Sequence, residues 1–115
     1  MRITGIGVDI EAISAFKRKK YVTNKKFYRR LFSGNEISYC LAKADEYESF
    51  AGTFCAKEAV LKALQKNNIF AATDIEIIRA ETGRPTVRVS GQKCKCFLSI
   101  SHSGSHAVAF CVAYS

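Results

Sequence analysis

Apolar positions recur along this chain with two different periods. Residues 2–10, RITGIGVDI, read as a first strand. Thr4, Ile6, Val8 and Ile10 share one face, and Ile3, Gly5, Gly7 and Asp9 share the other, so Asp9 ends a face carrying two glycines, where another backbone or a ligand can come close. Residues 12–20, AISAFKRKK, suggest a short helix with a basic end, and FYRRLF at 27–32 a further turn or two. Ser33-Gly34-Asn35-Glu36 matches the S-x-x-E capping box and predicts a helix over 34–43. Asp45 reads as the N-cap of a long helix over 46–66. On it Tyr47, Phe50, Ala51, Phe54, Leu61 and Gln65 follow helical spacing, with Glu58 in the same stripe. Residues 67–72 read as a loop.

From Asp74 the period changes to two. Segments 75–81, 86–90, 96–102 and 106–114 read as strands, the first two joined by a turn at Thr82-Gly83-Arg84-Pro85. A strand, then helices, then a run of antiparallel strands makes an α+β domain. With 115 residues the chain is expected to be one domain, 1–115.

Composition narrows this only slightly. Hydrophobic residues make up 48% and charged ones 24%, an ordinary globular mix, and no apolar run is long enough to span a bilayer. The apolar part of the N-terminus stops at Asp9, too soon for a signal peptide, so a cytoplasmic location is expected. The five cysteines form no CxxC pair and read as reduced thiols. The net charge of +8 predicts an acidic partner: nucleic acid, anionic lipid, a phosphorylated ligand or an acidic protein.

The candidate chemistry lies in a few side chains. In FCAKEAVLKAL, residues 54–64, a carboxylate and two lysines interrupt an apolar helix. Glu58 and Lys62 could form an ordinary surface pair one turn apart. They could equally face a cleft, the carboxylate holding a cation and the lysine reaching the anion which that cation holds. Asp9 would otherwise be a turn or cap residue. Two carboxylates from distant segments, with lysines nearby, are what a magnesium–phosphate site requires. His102 and His106 lie in a strand–turn–strand segment, which argues against a helical zinc pair. The basic clusters at 17–20 and at Arg29-Arg30 are interleaved with Phe16, Tyr21, Phe27 and Tyr28, as on a binding surface.

G-I-G-V-D-I (5–10), F-x-A-K-E-A-x-x-K-A (54–63), G-R-P (83–85) and S-I-S-H-S (99–103) occur in this order. Together they resemble holo-acyl-carrier-protein synthase, the small trimeric type of 4′-phosphopantetheinyl transferase. The resemblance implies transfer of 4′-phosphopantetheine from coenzyme A to a serine of an acidic apo-acyl carrier protein, with Mg²⁺ and release of 3′,5′-ADP. It implies Asp9 and Glu58 as metal ligands and Lys62 at the coenzyme A phosphates. Asp9, Glu58 and Lys62 are thus the catalytic candidates, and Lys62, His102, Arg84 and Pro85 the coenzyme A contacts. The serine proton would go to Glu58 or to a water on the metal. A homotrimer with its active sites between neighbouring subunits is also implied, with neither membrane nor nucleic acid as partner. Two positions depart from the family pattern: Ala15 and Thr53 stand where members often carry arginine, bearing on carrier and phosphate contacts respectively. The alternative reading, a basic nucleic-acid-binding module without activity, accounts for the charge but gives Asp9 and Glu58 no role.

Overall fold

The computed structural model describes residues 1–64 and 72–115. Strand β1 (Ile3–Ala12) is followed by three short helices, α1 (Ile13–Lys17), α2 (Lys25–Leu31) and α3 (Gly34–Leu41), and by the long helix α4 (Glu46–Leu64). Strands β2 (Ile75–Arg79), β3 (Pro85–Val89), β4 (Gln92–Lys93), β5 (Cys96–Ser103) and β6 (His106–Tyr114) complete an α+β fold. The antiparallel strands form two three-stranded sheets, β1-β6-β5 and β2-β3-β4. The sequence order alone suggested a single run. The first strand closes the larger sheet by pairing with the last, placing Gly7 opposite Cys111 and Asp9 opposite Ala109.

Asp9 therefore lies inside β1, three residues short of its end, rather than capping a helix or ending a strand. The α4 boundaries agree with the expected helix as far as Leu64. Gln65, Lys66 and most of the expected loop at 67–72 lie outside the described residues. Asp45 does cap α4, its Oδ1 accepting the Glu48 N–H at 3.0 Å. The capping box on α3 forms in both directions: Ser33 Oγ accepts from Glu36 N, and Glu36 Oε1 accepts from Ser33 N at 2.8 Å.

Helix α4 lies directly on the larger sheet. Gly5 and Gly7 make this possible: a Cβ on Gly5 would sit 1.9 Å from the Ala63 carbonyl oxygen, and one on Gly7 2.0 Å from that of Ala59. The facing surfaces are correspondingly small, with Ala56, Ala59 and Ala63 on the helix and Ala107, Ala109 and Ala113 on β6, all buried. The glycine face thus receives another backbone. The opposite face of β1 is apolar and open, with Ile6, Val8 and Ile10 each more than half exposed and Phe110 of β6 beside them.

The buried side of α4 is broader than the expected stripe. Phe50 and Ala51 are in the core, but Phe54, Glu58 and Leu61 are only half-buried, and Lys57 takes a core position at 1% exposure. A lysine tolerates this only with a partner. Its Nζ donates to Glu36 Oε1 at 2.5 Å. Glu36 Oε2 accepts the Ile77 N–H at 2.8 Å, so one carboxylate ties α3, α4 and β2 together. Burial lowers the Lys57 pKa, against the opposing pull of Glu36. An aromatic cluster of Phe16, Tyr28, Phe32 and Phe50 fills the other end of the core, with the Tyr28 hydroxyl donating to the Lys19 carbonyl at 2.7 Å.

Candidate active site

The close strand–helix contact brings the catalytic candidates together. Asp9 is two residues beyond Gly7 on the same face of β1, so its side chain emerges where α4 carries Glu58 and Lys62. Lys62 Nζ donates to the Val8 carbonyl at 2.9 Å and lies 3.5 Å from Asp9 Oδ1. The Lys62 side chain is 55% exposed against 13% for Asp9, so the ammonium can swing toward a ligand while the carboxylate stays fixed. Lys62 forms its ion pair with Asp9, not with Glu58; the surface pair one turn apart is not what this helix makes.

The carboxylates crowd one another. Glu58 is pushed above its ordinary pKa by burial and then by the Asp9 charge, with Lys62 pulling the other way. Glu11, two residues along β1, is pushed up to about 7 by burial, by a hydrogen bond to Asp9 and by the charges of Asp9 and Glu58. Sequence reasoning missed Glu11. Its signal was present in Asp9-Ile10-Glu11, since a two-residue spacing on a strand puts both carboxylates on one face. Among the described residues Asp9 Oδ2 is buried and meets no hydrogen-bond donor unless Glu11 carries its proton. A buried, unpaired carboxylate oxygen among like charges is an unfavourable arrangement that a divalent cation relieves. Among the described residues no group of three or more His, Cys, Asp or Glu side chains is placed to hold a metal ion. An open site of one or two carboxylates suits Mg²⁺, which keeps positions for water and phosphate oxygens, better than a structural metal. Beside it a groove of about 300 Å³ is lined by Ile6, Gly7, Val8, Lys62 and Phe110.

The remaining predicted site residues lie elsewhere in the chain. His102 is near the end of β5, its Nδ1 3.5 Å from Glu48 Oε1 and its ring over Gly52, where a Cβ would lie 3.6 Å from Cδ2. The tighter neighbour of that Cβ would be Ile100 Cγ2, at 3.1 Å. Arg84 and Pro85, at the turn into β3, line a separate cavity of about 360 Å³ together with Cys94, Cys96 and Tyr114. His102 and His106 flank the β5–β6 turn as expected, with Gly104 at φ 58°. The five cysteines are free thiols. Ala15 is exposed on α1, next to Lys17 and Arg18, and Thr53 is buried, donating to the Ser49 carbonyl at 2.8 Å.

Residues 5–111 match the 4′-phosphopantetheinyl transferase superfamily. The holo-[acyl-carrier-protein] synthase of Thermodesulfovibrio yellowstonii is 39% identical over 110 residues, covering 96% of this chain and 97% of that protein. The crystal structure of a holo-(acyl-carrier-protein) synthase from Bacillus anthracis in complex with CoA (3′,5′-ADP) superposes with a TM-score of 0.84 at 32% identity, covering 100% of this chain and 99% of that one. The Helicobacter pylori holo-[acyl-carrier-protein] synthase in complex with coenzyme A gives a TM-score of 0.81 at 31% identity, covering 95% and 99%. The fold, the four sequence motifs in order and these likenesses agree: the chain belongs to the 4′-phosphopantetheinyl transferase superfamily, in its holo-acyl-carrier-protein synthase type.

Proposed function

We propose that this enzyme transfers 4′-phosphopantetheine from coenzyme A to a serine of an acidic apo-acyl carrier protein, with Mg²⁺, releasing 3′,5′-ADP. The convergence of Asp9, Glu58 and Lys62, with a buried Asp9 oxygen left unpartnered, is the observation that carries the reading. Asp9 and Glu58 would hold the metal. Bound there, Mg²⁺ supplies Lewis acidity at the diphosphate. The chain's own residues do the rest. Lys62, now resting on the Val8 carbonyl, turns to the diphosphate and balances the charge that builds on the departing 3′,5′-ADP. Glu58 or a water molecule would accept the serine proton. As the serine oxygen bonds to the β-phosphorus, the bond from that phosphorus to the ADP oxygen breaks.

The open apolar face of β1 supports a homotrimer. Ile6, Val8, Ile10 and Phe110 would be covered by neighbouring chains, and active sites between chains would let Arg84 and Pro85 serve a coenzyme A held by another chain's acids. The basic stretch over 17–30 is the proposed carrier surface. Lys19 stands over the Phe27 ring at 4.3 Å and Lys25 over Tyr21 at 5.8 Å, an arrangement that presents charge on a rigid apolar support. Free thiols and the lack of any helix able to cross a membrane among the described residues are compatible with action in the cytoplasm. Incubation with coenzyme A, Mg²⁺ and an apo carrier tests the reading by mass spectrometry. The expected result is a carrier heavier by one phosphopantetheine, dependent on Mg²⁺; an unmodified carrier refutes it.

A further inference from the structure

Arg79 ends β2 beside a cavity of about 330 Å³ that also meets Tyr39, Lys43, Glu48 and His102. Its guanidinium lies over the Tyr39 ring, 4.8 Å from the centroid, and Lys43 Nζ stands 4.4 Å from the same centroid. Two cations thus share one aromatic ring. Among the described residues Arg79 has no carboxylate within ion-pair distance. Its two hydrogen bonds, to the Tyr39 hydroxyl and to Thr53 Oγ1, are both long at 3.4 Å. A guanidinium carries five N–H donors in a fork suited to phosphate. The acids nearby are already engaged: Asp45 caps α4, and Glu48 faces His102.

Thr53 is where related sequences often place an arginine, and here a guanidinium from another element covers that very side chain. Coenzyme A carries phosphate in two places, a diphosphate and a monoester on the ribose 3′ oxygen. The diphosphate belongs with Asp9, Glu58 and Lys62. Gly52, under His102, precedes Glu58 by six residues, about 9 Å along the helix axis, which is the scale of a ribose and its flanking phosphates. We propose that Arg79, reaching from β2 across Thr53, supplies in this chain the guanidinium for the coenzyme A 3′-phosphate, with Lys43 and His102 completing the subsite. The assignment rests on coenzyme A being the substrate, and names the residue that reads its monoester.

Calorimetric binding of coenzyme A and of 3′-dephospho-coenzyme A to the wild type, Arg79→Ala and Arg79→Lys tests it without requiring turnover. The wild type is expected to prefer coenzyme A by roughly tenfold or more, the yield of one charge-assisted phosphate contact. Arg79→Ala should lose most of that preference by weakening coenzyme A binding alone, and Arg79→Lys should keep part of it. Melting curves confirm that each variant is folded. A wild type without preference, an Arg79→Ala protein that keeps the full preference, or equal weakening of both ligands overturns the proposal. A protein that shows the Arg79-dependent preference but never modifies a carrier supports the subsite while overturning the transfer reading.

Discussion

Replacing Lys57 with methionine removes an ammonium from the core while nearly preserving side-chain length. The Nζ has one hydrogen-bonding partner among the described residues, Glu36 Oε1, and a further contact with the Phe32 ring at 5.6 Å. Breaking a buried ion pair by removing one partner costs about 3–5 kcal/mol, because the other charge stays buried and uncompensated. Glu36 keeps two backbone donors, from Ser33 and Ile77, which places Lys57→Met at about 3 kcal/mol, the lower end of that range. For a chain of this size that corresponds to a fall in Tm of about 10 °C. Adding Glu36→Gln should recover part of the loss, since the neutral amide still accepts a hydrogen bond and leaves no isolated charge. Glu36→Ala alone should cost more than Lys57→Met, leaving the ammonium unpaired and removing the acceptor for both backbone N–H groups. Thermal and urea unfolding at one fixed protein concentration measure these differences. Lys57 faces the core rather than the site, so turnover per folded molecule at low temperature should hold. A Lys57→Met protein within 1 kcal/mol of wild type would refute the reasoning, as would a Glu36→Gln addition that deepens the loss.

Three further outcomes are expected. Glu58→Gln should lower transfer by roughly a hundredfold or more at saturating Mg²⁺, as read by carrier mass, without lowering Tm, since it relieves the crowding of acids. Gly7→Ala should destabilise by about 2–3 kcal/mol in urea unfolding, because the new Cβ collides with the Ala59 carbonyl and strand and helix must separate; an unchanged midpoint would argue against direct backbone contact. Glu11→Gln should raise the Tm of the metal-free protein at pH 8 but hardly at pH 5. Raised to about 7, the Glu11 carboxyl binds its proton more readily folded than unfolded, so the stability it contributes is full below about 4.5 and is lost as pH rises through 7. Equal shifts at the two pH values would show that Glu11 is not perturbed by its neighbours.

The features readable from sequence were those carried by short-range chemistry. Ser33 and Glu36 announced their helix because a capping box is closed within four residues. The alternation from Asp74 onward revealed the strands, but not that they divide between two sheets or that β1 lies beside β6, a pairing that joins residues 94 to 111 positions apart, from Ala12–His106 to Ile3–Tyr114. Lys57 looked like an intrusion into an apolar helix; its partner, Glu36, is supplied by a different helix and cannot be found by periodicity. Asp9 and Glu58 were singled out as chemical types out of place, and the structure brings them into electrostatic contact. Arg79 carried no signal at all. Its interest arises only when it is found above Thr53, across the gap between two elements.

At Gly5 and Gly7 main chain touches main chain, with no rotamer interposed to absorb a change in spacing. The spacing of the backbones beneath Asp9 and Glu58 is consequently a property of peptide geometry and not of side-chain choice. It cannot widen without sliding an entire helix over a sheet. Whatever adjustment the two acids need is left to their own few rotatable bonds, above a floor that does not give.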